Sequence, residues 1–255
     1  MPELPTPSPA TPDPWVALRS LTPARIALGR AGASLPTRVH LEFQLAHARA
    51  RDAVHDALDV AALRAALREA GLDSIAVHSA AEDRTRYLHR PDLGRRLEPA
   101  SRERLAAASP PGCNALFVVA DGLSARAAQA HAVPVLAALA PRLQTEGWRL
   151  GPTVVADQGR VALGDEIGAL LGAEMVLVLL GERPGLSAPH SLGGYLTWDP
   201  RPGRTDADRN CVSNIRPEGL ASVLAADRLA YLMTEARRRR LSGVALKDDT
   251  GMLHG

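Results

Sequence analysis

Two rhythms of apolar and polar positions divide the chain. Up to about residue 108 the spacing is helical: Phe43, Ala46, Ala50, Ala53 and Ala57 recur three or four apart, with arginines and aspartates between them. That is the stripe of an amphipathic helix. Asp59 stands where it can cap a second helix whose inner face carries Val60, Leu63 and Leu67, and Gly71 supplies a left-handed stop. A short apolar stretch around Ile75 to Val77 reads as a lone strand. Ser79, with Glu82 three residues on, reads as the capping box of a short helix after it.

The stretch Ser109-Pro110-Pro111-Gly112 marks a boundary, and buried runs then alternate with helices. Residues 115–120 form a compact apolar run bounded by turn residues, as a strand buried on both faces requires. Further strands are expected at 153–156, 175–180 and 195–198. Ser124 can cap the helix after the first strand, Pro134 can start a second helical segment, and residues 165–171 make a short helix stopped by Gly172. A long last helix is expected from near Glu218, with Val223, Ala226, Ala230 and Met233 on its inner face. The chain therefore reads as α/β in class, a helical region over 15–108 and a largely parallel sheet with flanking helices and right-handed crossovers over 109–255.

Prolines at 2, 5, 7, 9, 12 and 14 remove donors and fix φ, so residues 1–14 read as a disordered lead-in without helix or ladder. Hydrophobic residues at 46% and charged residues at 23% of the 255 are ordinary globular usage. Thirty basic against 28 acidic residues leave +2, too balanced for a basic stripe, and 3% aromatics argue against a base-stacking surface, so no nucleic-acid partner is expected. Cys113 and Cys211 cannot build a disulfide framework and read as reduced thiols. The longest apolar run, 175–180, is far short of the roughly 20 residues of a membrane span. With no secretory signal at the start, the expectation is a soluble cytoplasmic protein.

The sequence lacks G-x-G-x-x-G after a strand, G-x-x-x-x-G-K-[ST], H-E-x-x-H and C-x-x-C, so nicotinamide, P-loop and zinc chemistry have no support and no metal site is expected. What remains is three loops at the expected carboxyl ends of strands: Asp121-Gly122-Leu123-Ser124, Asp157-Gln158-Gly159-Arg160-Val161 and Gly181-Glu182-Arg183-Pro184-Gly185. That edge of a parallel sheet forms the ligand crevice. The glycines either let a bulky ligand approach the backbone or serve tight turns. Ser124 after a strand and a sharp turn has the outline of a nucleophile elbow, with Arg126 where a glycine is usual and His190 as the one plausible partner; the plain alternative is a helix cap. Glu182, at the end of an apolar strand, needs partners, either Arg183 or Arg216 or the amide donors of a ligand. Cys211 reads as a core thiol or, beside Arg209, a reactive one. The run Arg237 to Arg240 complements the negative end of the last helix.

Several longer segments carry a resemblance. They are Arg25-Ile-Ala-Leu-Gly-Arg-Ala-Gly32, Tyr87-Leu-His-Arg-Pro-Asp-Leu-Gly-Arg-Arg-Leu97, Val119-Ala-Asp-Gly-Leu-Ser124, Gly159-Arg-Val-Ala-Leu-Gly-Asp-Glu-Ile-Gly168, Gly181-Glu-Arg-Pro-Gly-Leu186 and Asp208-Arg-Asn-Cys-Val-Ser-Asn-Ile-Arg216. In this order they resemble the small (light) subunit of ethanolamine ammonia-lyase, over residues from about 15 to 248. The resemblance implies a helical N-terminal part and a Rossmann-like domain. It also implies an adenosylcobalamin-dependent lyase that turns ethanolamine into acetaldehyde and ammonia by radical chemistry. In that family a large subunit holds the substrate in a barrel, while the small subunit covers the cofactor at the interface and supplies no catalytic base. Enclosure in a bacterial microcompartment is a further possibility the family brings. The family's cobalamin contacts fall on Val161, Glu182 and Cys211. The absence of D-x-H-x-x-G fits a cofactor that keeps its own benzimidazole ligand on cobalt.

Overall fold

The computed structural model describes residues 10–22, 24–108 and 112–247. Most of the proline-rich lead-in, and Ser109 to Pro111 of the expected boundary, lie outside the described residues. Among the rest of the lead-in, Thr11 exchanges both backbone hydrogen bonds with Arg30, a bridge made at a position that carries no proline.

Seven α-helices and six strands alternate along the described chain: α1 (Thr37–His55), α2 (Val60–Glu69), β1 (Ser74–His78), α3 (Arg84–His89), α4 (Pro99–Ala107), β2 (Cys113–Ala120), α5 (Ala125–Thr145), β3 (Thr153–Asp157), α6 (Leu163–Leu170), β4 (Ala173–Gly181), β5 (Leu192–Trp198), β6 (Arg209–Ile215) and α7 (Ser222–Arg239). The strands form one sheet in the order β1-β3-β2-β4-β5-β6. The first four are parallel, and β5 and β6 are added antiparallel. This is the expected α/β class with a largely parallel sheet. All eight residues of β2 are buried, because both faces are covered. Ala115, Phe117 and Val119 pack into the layer of α2, α5 and α7, while Leu116, Val118 and Ala120 pack against α4 and α6. The two-sided cover explains why the strand reads as an unbroken apolar run.

Local pattern misled wherever the deciding partner was distant. The stretch at 75–77 is no lone strand: β1 pairs along its whole length with β3, some eighty residues on, and forms the sheet edge. The Ser79–Glu82 capping box is not used; Asp83 caps α3 by accepting from Arg86 N, and the Ser79 hydroxyl accepts from Ala81 N instead. Helix α5 runs through both Pro134 and Pro141 without restarting. Each proline forfeits one intrahelical bond, and a fully buried face that includes Ala132, Val135, Leu136 and Leu139 offsets it. Residues 209–215, where no strand was expected, are the edge strand β6. The inner face of α7 is Ala225, Ala226, Leu229, Leu232, Met233 and Ala236, with Val223 exposed.

The helical stripe of α1 is real, but its burial is not. Only Val39 and Ala53 of α1 are buried, and Leu41, Phe43 and Leu45 are exposed. Trp15, Leu21 and Leu35 add to the same excess of exposed apolar surface in the N-terminal part.

Candidate binding site

The loops that leave the carboxyl ends of β2, β3 and β4 meet around one concavity of about 750 Å³. Leu123 enters from the first, Val161 from the second and Glu182 from the third, while Tyr195 of β5 and Arg209 of β6 line it as well. Val161 lies in the turn that leads into α6, where its carbonyl accepts from Gly164 N at 3.0 Å. Glu182 follows the last residue of β4. Its Oε2 accepts from the Ser191 hydroxyl and, at 3.2 Å, from Asn214 N. Its Oε1 has no donor among the described residues and lies near Tyr195 beside Gly193, where an added Cβ would sit 3.0 Å from that oxygen. The expected partners Arg183 and Arg216 are not used.

Cys211 does not line the concavity directly. It is exposed and stands opposite Tyr195 in the β5–β6 register, and Tyr195 does line the cavity. Burial first, and the charge of Glu182 second, push its thiol pKa up. The Tyr195 phenol is raised as well, through burial and then the neighbouring Cys211 and Glu182. Of the three expected contact residues, Val161 and Glu182 line one cavity and Cys211 does not, although its strand partner Tyr195 does.

The family model described as "Ethanolamine ammonia-lyase light chain (EutC)" matches residues 12–247. The chain is 61% identical over 245 residues to an ethanolamine ammonia-lyase small subunit of Azotobacter vinelandii, covering 95% of this chain and 91% of the relative. It is 57% identical to that of Pseudomonas putida, over 97% and 90%, and 59% identical to that of Pseudomonas syringae pv. tomato, over 93% and 84%. The chain belongs to the ethanolamine ammonia-lyase light-chain family.

Other candidate residues of this light chain have structural work. Ser124 is no nucleophile: it is fully buried, caps α5 by accepting from Ala127 N, and directs its hydroxyl proton to Pro189 O at 3.2 Å. His190 is adjacent in sequence to that carbonyl but does not bond Ser124, and its Nδ1 is buried without a partner. Gly122 and Gly181 serve loop packing rather than ligand approach. A Cβ on Gly122 would lie 2.3 Å from Gly181 O, and the Leu123 amide donates to that same oxygen at 2.8 Å.

Asp121 ties together the loops that follow β2 and β3. One carboxylate oxygen accepts from Gly122 N and Gly159 N, and the other from Arg84 at 3.0 Å. Burial pushes its pKa up to about 7 against the pull of Arg84. Tyr87, also buried, donates its hydroxyl proton to Gly159 O at 3.2 Å, and the guanidinium carbons of Arg84 and Arg160 lie 4.6 and 4.2 Å from its ring centre. Sequence reasoning singled out neither Tyr87, Arg160 nor Tyr195: Tyr87 and Arg160 meet only across some seventy residues, and Tyr195 gains its neighbours through strand pairing. A signal existed for Tyr87 alone, a scarce aromatic within a quoted motif. Among the described residues no group of three His, Cys, Asp or Glu side chains is placed to hold a metal ion, and no helix is long and apolar enough to cross a membrane.

Proposed function

We propose that this chain is the small subunit of an adenosylcobalamin-dependent ethanolamine ammonia-lyase, where it covers the cofactor at the interface with the large subunit. The observation that carries the reading is the convergence of Val161 and Glu182 on one cavity, with Cys211 paired to Tyr195, which also lines it.

The residues present fit the group. Cobalamin carries a rim of amide side chains, and Glu182 Oε1 is an unsatisfied carboxylate acceptor at the cavity wall, fixed in place because Ser191 and Asn214 hold its twin oxygen. Val161 and Leu123 supply apolar cover. At about 750 Å³ the cavity suits a drug-sized molecule. Adenosylcobalamin is larger than that, which fits a site completed by the large subunit. The exposed apolar N-terminal surface supports the need for such a partner. The bound cofactor supplies the radical chemistry that turns ethanolamine into acetaldehyde and ammonia. This chain orients the corrinoid, excludes water from one side of it and contributes no catalytic base.

The test is co-expression with the large subunit, purification of the complex, and assay of ethanolamine turnover with and without adenosylcobalamin, alongside the visible spectrum of bound corrinoid. Turnover and spectral change that both require this chain are expected. A large subunit that binds cofactor and turns over equally well alone would sink the proposal.

A further inference from the structure

Strands β2 and β3 end in the same way. Asp121 and Asp157 follow the paired residues Ala120 and Ala156, so two carboxylates stand side by side at the carboxyl edge of the sheet. Each takes the amide of the next residue on its Oδ1, Gly122 N and Gln158 N, both at 3.0 Å. Those next residues are left-handed, with φ of +57° and +54°. Gln158 is no glycine, so its turn carries backbone strain and persists only where its surroundings hold it.

Asp121 and Arg84, the first residue of α3, do the holding. Asp121 is 1% exposed, and the Oδ1 that takes Gly122 N also takes Gly159 N from the other loop at 2.9 Å. Arg84 Nη1 donates to Asp121 Oδ2 at 3.0 Å, to Gly122 O at 2.9 Å and to Gln158 Oε1 at 3.3 Å. Its Nε donates to Val54 O of α1 at 2.6 Å. One guanidinium therefore fastens both turns to the N-terminal helices, and its charge opposes the repulsion that Asp121 feels from Asp157. Gly159 is pressed against β2, where an added Cβ would stand 2.9 Å from that of Ala120. Neither Arg84 nor Asp121 lines the cavity, yet residues just beyond their partners do: Leu123 follows Gly122, and Val161 comes two after Gly159.

We infer that Asp121 and Arg84 are positioning residues: the pair sets both turns before a ligand arrives and so holds Leu123 and Val161 where the cofactor meets them. The inference rests on the cobalamin reading above and adds two residues, outside the cavity wall, on which that contact depends. A turn set in advance spares binding the cost of ordering it.

The experiment uses the complex with the large subunit. Three quantities are followed: cobalamin affinity from visible spectra, amide exchange over residues 158–163 without cofactor, and the thermal midpoint. In wild type without cofactor the Gly159 amide should already be protected. Arg84→Met should weaken cobalamin by about tenfold or more and speed exchange over 158–163. It should also lower the midpoint, because Asp121 is left buried alone. Adding Asp121→Leu removes that orphan and should recover much of the midpoint, while affinity and exchange stay as poor as in the single variant. That separation marks positioning, since a merely structural pair would recover all three together. Affinity that returns with the midpoint, or variants that bind cobalamin as wild type does, overturns the inference and leaves the cobalamin reading standing. A wild-type complex that binds no cobalamin removes both. Should neither variant fold, wild type decides alone: a Gly159 amide that exchanges as freely as an exposed loop until cobalamin binds rejects a turn set in advance.

Discussion

Arg209 of β6 grips Asp165 at the start of α6 through two hydrogen bonds of 2.7 Å each, with side chains only 4% and 2% exposed. The pair fastens the edge strand that carries Cys211 to the helix that follows Val161, and Thr197 Oγ1 accepts a further bond from Arg209 at 2.9 Å. Removing one partner leaves a buried charge alone, which typically costs about 3–5 kcal/mol. Arg209→Met should therefore lower the chemical-denaturation midpoint sharply, and Asp165→Leu in the same chain should recover much of the loss, because the orphaned carboxylate is gone. A single variant as stable as wild type would show that the pair holds nothing together.

Glu182 is the residue whose loss most directly reads out cofactor contact. Truncation to Ala removes an ion-assisted acceptor worth roughly 1.5–3 kcal/mol, which is about 10- to 150-fold in cobalamin affinity of the assembled complex. Glu182→Gln keeps an acceptor but loses the charge, so its loss should be smaller. Titration of the complex with cobalamin measures both. Were this chain a purely structural partner, neither variant would move the affinity.

The sheet was legible in the sequence because its central strands are buried on both faces: residues 115–120 and 175–180 have no polar interruption. The edges were not legible. β1 is five residues long and its partner lies some eighty residues on; β6, in Arg209-Asn-Cys-Val-Ser-Asn-Ile215, buries only Arg209, Val212 and Ile215. Such a strand is specified by its neighbour's register rather than by its own pattern. Among the site residues, Val161, Glu182 and Cys211 came from quoted family motifs. The bond from Ser191 to Glu182 across the β4–β5 connection, the Tyr195–Cys211 pairing and the Arg160–Tyr87 contact leave no trace in spacing.

Cys211 should be a slow thiol. Burial and the nearby Glu182 carboxylate both raise its pKa, so the thiolate fraction near neutral pH falls below that of a free cysteine. Alkylation by iodoacetamide should be sluggish at neutral pH and keep climbing beyond the usual thiol range. Glu182→Gln removes the second cause, lowers the pKa and should speed the reaction at mildly alkaline pH. Mass spectrometry of the labelled peptide gives the rate profile; Cys113, buried in β2, should stay unlabelled in the native protein. A fast, pH-independent reaction at Cys211 would contradict the arrangement around Tyr195.

The N-terminal apolar surface should matter for assembly more than for folding. Leu41 is 57% and Leu45 52% exposed, and α1 is anchored by Val39 and Ala53 instead. Replacing exposed side chains of this kind changes stability by no more than about 0.5 kcal/mol in most proteins. If the large subunit covers this face, as a partner of the proposed kind must cover some apolar surface, Leu41→Ser and Leu45→Ser remove contacts each worth about 1 kcal/mol or more where they sit centrally. The double variant should melt like wild type yet dissociate from the large subunit at least tenfold more readily, read by sedimentation or analytical size exclusion of the mixed chains. Unchanged association would move the interface elsewhere, and the rim of the cavity around Arg183 and Asp206 would then be the surface to substitute next.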